Sequence, residues 1–152
     1  MLELNYEMLA RDLITGRQTE WTDLAMDQDS REAARLVRER AKPGDTLFVW
    51  GFRPELWVYT GLPAATRFLD CQALTGVPAD RHLAQSQPAV AADFTRANRL
   101  ELAHSRPTFI MDGLSAYNPK LAMSVYPELR PWLAHYREVA RTRMIVVYRL
   151  LP

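Results

Sequence analysis

The sequence predicts an α/β fold, a three-layer Rossmann-like sandwich in which a short parallel sheet is closed by a C-terminal antiparallel hairpin. Three observations carry this reading. The apolar run Leu47-Phe48-Val49-Trp50 stops at Gly51, and Pro54 then opens a short aromatic segment, the order of a strand feeding a helix. A second run, Thr108-Phe109-Ile110-Met111, stops in the same way at Asp112-Gly113. Near the end, 136–140 and 144–150 flank the polar tripeptide Arg141-Thr142-Arg143, which suits two antiparallel strands and their connection.

Taken in order, Asp29 and Glu32 make an Asp-x-x-Glu capping pattern, and Ala33, Leu36, Val37 and Ala41 recur at helical spacing, so a helix is expected over 30–41 with Pro43-Gly44 as its stop. Strand 46–50, helix 54–60 ended by Gly61 and strand 65–69 follow as a brief crossover. The stretch from Leu74 to Pro88, with Gly76, Pro78, Ser86 and Pro88, reads as a loop within the domain. Val90, Phe94, Ala97 and Leu100 mark the apolar side of a helix over about 88–104, and 108–112 is a third parallel strand. Asn118-Pro119 and Pro127-Glu128 begin short covering helices, the second running through Trp132 and His135. Leu47, Val49, Phe109, Ile110, Ile145 and Val147 are the expected centre of the core, because continuous apolar runs fit strands covered on both faces.

With 152 residues, 48% of them hydrophobic, the chain is sized for one domain with a core of its own. Lys plus Arg number 19 against 18 Asp plus Glu, so no strong field draws nucleic acid, which is not expected as a partner. Cys71 is the sole cysteine, which excludes an internal disulfide and a multi-cysteine zinc site. His82, His104 and His135 are scattered without ligand spacing, and neither a Gly-x-Gly-x-x-Gly turn nor a Walker lysine loop is present. No metal and no cofactor are expected. No run approaches the roughly 20 apolar residues that span a bilayer, and the first 30 residues lack the basic-then-apolar order of a signal peptide.

Pro43-Gly44-Asp45, Val49-Trp50-Gly51, Pro54-Glu55, Tyr59 and Thr66-Arg67-Phe68 together resemble a run in the soluble C-terminal domains of multi-pass glycosyltransferases of the dolichyl-phosphate-mannose–protein mannosyltransferase type, the GT-C class that includes aminoarabinose transferase-like enzymes. The resemblance covers roughly residues 29–149, with weaker matches at Arg106-Pro107, at Tyr126-Pro127-Glu128-Leu129 and from Tyr136 to Tyr148; residues 71–88 carry none. It implies that 1–28 is a tail leaving an upstream membrane region and that 29–152 is a single α/β domain on the extracytoplasmic, periplasmic side of a membrane-anchored protein. The implied partners are the membrane-embedded part of the same polypeptide and a lipid-linked sugar or glycan acceptor. In that family the catalytic aspartate lies in an early loop of the membrane part, so no catalytic residue is expected in this chain.

Arg53, Asp70 and Asp112 all follow strand ends, where open α/β sheets bind ligands. With strand 46–50 between the other two, the two carboxylates would stand about 10 Å apart beneath Arg53, a cleft suited to sugar hydroxyls or phosphate. The competing reading is that both aspartates cap turns and that Arg53 pairs with one of them structurally. Trp50, Trp57 and Tyr59 form either an aromatic platform for a sugar or lipid head group, or part of the core. Trp21 suits a membrane interface if an upstream helix exists. Ser115, Ser124 and Cys71 lack the elbow that exposes a nucleophile. Arg137, Arg141, Arg143 and Arg149 read as a solvated sheet edge or as a patch for anionic lipid. Two further function classes stand beside the resemblance: a free-standing α/β enzyme using the strand-end cleft, and an envelope interaction module.

Overall fold

The computed structural model describes residues 22–152, with side chains from residue 24 onward. The expected tail as far as residue 21, and with it Trp21, lies outside the described residues. The first helix among the described residues, α1, runs Thr22–Arg38 and buries Ser30, Ala33, Ala34 and Val37, the i, i+3, i+4, i+7 stripe of a helix lying on a sheet. It begins eight residues before the expected start at residue 30. Asp29 is therefore inside the helix and does not cap it. Its carboxylate instead accepts from Thr142 Oγ1 at 2.7 Å and from the Met144 backbone N–H at 3.3 Å. An aspartate seeks backbone N–H groups, and here the C-terminal hairpin supplies one.

Strand β1 is Leu47–Trp50, buried at every position. Gly51 follows at φ +126°, where a side chain would be strained, and lets the chain turn sharply into α2, Glu55–Thr60. Gly61 ends α2 in the left-handed conformation with its N–H on the Trp57 carbonyl, as the sequence predicts. Then come α3, Gln72–Thr75, and α4, Ala92–Ala103, before β2, Phe109–Asp112. Two single 3-10 turns, 119–121 and 123–125, lead to α5, Arg130–Leu133, and to the hairpin of β3, Tyr136–Arg141, and β4, Val146–Leu150.

The sheet is mixed and open, in the order β1-β2-β4-β3. Strands β1 and β2 are parallel, with Leu47 opposite Phe109 and Trp50 opposite Asp112, while β4 is antiparallel to both β2 and β3. The hairpin thus inserts β4 beside the parallel pair and leaves β3 at one margin; it extends the sheet and does not close it. A bulge interrupts the β3–β4 ladder between Glu138 and Ala140. Core side chains cluster on both faces. One cluster holds Phe48, Trp50, Leu102, Ile110 and Trp132; the other holds Ala33, Val37, Leu47, Val49, Phe109, Met111 and Val147. All six side chains expected at the centre are at most 1% exposed.

Two further expectations are corrected. Residues 65–69 lie alongside β1 but form no strand. Leu47 N–H bonds the Pro63 carbonyl at 2.9 Å, Ala65 N–H bonds the Leu47 carbonyl at 3.0 Å, and the next contact is Cys71 N–H on the Gly51 carbonyl at 3.2 Å. Between them Thr66 Oγ1 accepts from Phe68 N–H at 3.1 Å and bends the backbone off the ladder, while Arg67 turns out to Glu101 at 2.7 Å. The second correction concerns α4. Phe94 and Leu100 are 54% and 39% exposed, and the buried positions are Thr95, Asn98, Arg99 and Leu102. The four-residue α3 leaves carbonyls without helical partners. Asn98 Nδ2 donates to the Ala73 carbonyl at 2.8 Å and Arg99 Nη1 to the Leu74 carbonyl at 2.7 Å, so polar satisfaction sets which face of α4 turns inward.

Candidate functional site

The residues singled out from the sequence are each committed to local partners, and among the described residues no hydrogen bond or ion pair joins any two of Arg53, Asp70 and Asp112. Arg53 is 3% exposed and packs toward α1. Its Nε donates to Glu55 Oε1 at 2.9 Å, and its Nη2 donates to the Met26 carbonyl at 2.7 Å and to Ser30 Oγ. Ser30 Oγ donates in turn to the same Glu55 oxygen at 2.6 Å, closing a small ring of polar contacts. Nη1 is buried beside Gly113 and has no hydrogen-bond partner among the described residues. Asp70 Oδ1 accepts from Gln72 N–H at 2.7 Å and so caps the turn into α3.

Asp112 leaves the opposite face of the sheet. Its Oδ1 accepts from Leu114 N–H at 3.0 Å and Ser115 N–H at 2.9 Å, and its Oδ2 accepts from Ser115 Oγ at 2.5 Å. Burial pushes the Asp112 carboxyl above its ordinary value, opposed by these hydrogen bonds. The carboxyl also lines a cavity of about 170 Å³ whose apolar walls include Met123, Leu133 and Tyr136. Sequence reasoning reached Asp112 but not the rest of this cavity. Ser124 comes from a single 3-10 turn and Tyr148 from the far hairpin, and no spacing in the chain links them to residue 112.

The aromatic residues divide. Trp50 is fully buried, with its Nε1 donating to the Leu121 carbonyl at 3.0 Å. Trp57 Nε1 donates to the Leu69 carbonyl at 3.2 Å. Tyr59 is half-buried against α1: its hydroxyl donates to Asp27 Oδ1 at 2.5 Å and accepts from Arg31 Nη2 at 2.8 Å, while the Arg31 guanidinium lies 4.3 Å from its ring centre. The hydrogen bond from Tyr59 holds the Asp27 carboxyl below its usual range and raises the tyrosine in return. The guanidinium of Arg38 also reaches the Tyr59 carbonyl. Trp50 and Tyr59 therefore belong to separate environments, one in the core and one on the α1 side.

A cysteine–histidine contact was not legible in the sequence. Cys71 Sγ lies 3.8 Å from His82 Nδ1, and both residues are buried. A thiolate–imidazolium couple would need a low thiol value and a high imidazole value. Burial does the reverse, pushing the Cys71 thiol up to about 12 and the His82 imidazole down. The proton stays on sulfur and the pair is structural. Native protein is therefore expected to resist a thiol-specific disulfide reagent near neutral pH and to react at once after denaturation. Rapid labelling of the folded chain would show the thiol to be accessible and activated.

Among the described residues no group of three His, Cys, Asp or Glu side chains is placed to hold a metal, and no helix is long and apolar enough to cross a membrane. No family model matches the chain, and neither a curated protein nor a solved structure matches it detectably.

Proposed function

We propose that the chain is the extracytoplasmic domain of a multi-pass membrane glycosyltransferase that uses a polyprenyl-phosphate-linked sugar, a Rossmann-like three-layer sandwich that assists acceptor or donor recognition without carrying the catalytic group. The observation that supports this reading is what the motif residues Glu55 and Tyr59 do together with Arg53, which lies between the Val-Trp-Gly and Pro-Glu parts of the run. Arg53 and Glu55 grip Met26 and Ser30, and Tyr59 grips Asp27 and Arg31, so the segment resembling the glycosyltransferase run is a clasp that fixes α1 to the turn and helix that follow β1. A domain that must hold a set position relative to an upstream membrane part needs its entry helix fastened in this way. Its partners would be that membrane part and a lipid-linked sugar or glycan acceptor, on the periplasmic side of a membrane-anchored protein.

The free-standing enzyme reading draws less support, because Arg53, Asp70 and Asp112 are engaged by separate neighbours. The test is the gene and a turnover assay. An in-frame run of apolar spans ahead of codon 1 is expected, together with no sugar transfer from a polyprenyl-phosphate donor by residues 1–152 alone. Translation starting naturally at Met1 with no such spans, or turnover by this chain that Asp112→Asn abolishes, would overturn the proposal.

A further inference from the structure

We propose that the cavity at Asp112 is a binding site for a single neutral polyhydroxylated ring, a pyranose or cyclitol. Its volume of about 170 Å³ lies below the ~300 Å³ at which drug-sized pockets begin, which suits one six-membered ring and excludes a nucleotide or an oligosaccharide. Among the lining residues, those with polar side chains that could face a ligand are Asp112, Ser115, Ser124 and Tyr148.

The hydrogen-bond accounts of these groups are incomplete. A carboxylate offers about four acceptor positions, and Asp112 uses two on Oδ1 and one on Oδ2 within the protein. One position on Oδ2 remains, on a side chain only 3% exposed and lining the cavity. The Tyr148 and Ser124 hydroxyls make no hydrogen bond among the described residues. By contrast, the Tyr136 hydroxyl is committed to the Pro107 carbonyl at 3.0 Å, so Tyr136 offers the cavity its ring. The site thus combines an acceptor, two groups that donate and accept, and an aromatic and aliphatic wall for C–H surface.

Other ligand classes fit less well. No Lys or Arg lines the cavity, so a phosphate or carboxylate would lose its water there without a lining cation to offset the cost. A fixed cation would satisfy Asp112 but could not accept from Tyr148 or Ser124. A ring hydroxyl donates and accepts, so it pairs with Asp112 in either protonation state and with both free hydroxyls. The assignment stands apart from the membrane-enzyme reading, since it concerns this chain alone.

The test is a methyl NMR titration of the chain, following Met123 and Leu133, with methyl β-glucopyranoside and myo-inositol as probes and with sodium phosphate and tetramethylammonium chloride as comparisons. Saturable shifts with a polyol in the millimolar range are expected. Tyr148→Phe, which keeps the ring, should weaken that binding about threefold to tenfold, the cost of one neutral hydrogen bond. Ser124 is exposed, so Ser124→Trp should fill the cavity mouth, abolish the shifts and leave the melting temperature unchanged. Absence of saturation by both polyols, saturation by phosphate or tetramethylammonium instead, or polyol shifts that persist in Ser124→Trp would overturn the assignment.

Discussion

Protein carrying Val49→Asp is expected to be unfolded in neutral buffer, with a coil-like far-UV spectrum and no cooperative thermal transition. Val49 is fully buried in β1 opposite Met111, and its cluster includes Leu47, Phe109, Ile145 and Val147. The substitution removes an apolar side chain worth about 1.5–3 kcal/mol on burial. It also places a carboxylate among aliphatic and aromatic groups, which costs several kcal/mol against a total stability of about 5–15 kcal/mol. Val58, 78% exposed on α2, is the control: Val58→Asp should melt within a few degrees of the parent. A folded Val49→Asp protein with an unchanged transition would remove β1 from the core.

Arg53→Ala is expected to destabilise the domain by about 2–4 kcal/mol, read as a lower urea midpoint with an unchanged m-value. Removing one partner of a buried ion pair costs about 3–5 kcal/mol, and the lower figure here reflects Glu55, whose side chain is 28% exposed and keeps some solvent. The loss goes beyond the pair, because the Met26 carbonyl and Ser30 Oγ lose their donor at the same time. Arg53→Lys should recover only part of it, since one ammonium cannot copy a planar fork directed at Glu55, Met26 and Ser30. An urea midpoint equal to the parent's would show that the clasp contributes nothing. Arg53 follows a strand end as the sequence predicts, and at 3% exposure it is held there by Glu55, Met26 and Ser30.

Much of the framework was legible because it rests on local signals. The apolar runs of β1 and β2, the stop at Gly61 and the polar turn between β3 and β4 are written in consecutive residues. What escaped depends on groups far apart in the chain. Thr66 bends a segment that looks like a strand because its hydroxyl wins over the ladder, and α4 presents Asn98 and Arg99 to the core because α3, twenty-odd residues earlier, leaves carbonyls to satisfy. The burial of Arg53 depends on Met26 and Ser30, on a helix whose start the sequence placed too late. Asp112 was legible as a strand-end carboxylate, whereas its cavity needs the 3-10 turn at 123–125 and β4 to come together, which only the fold decides.

The two margins of the open sheet differ in what they offer to another chain. Residues 63–71 shield β1, so its backbone cannot template aggregation. At β3 an incoming strand would have to strip water from Arg137 and Glu138, both exposed, and match a ladder already broken between Glu138 and Ala140. The bulge and the charges thus act together as a guard against fibril-like growth. They protect a domain whose core strands, four or five residues each and rich in valine and aromatic side chains, would otherwise be prone to it.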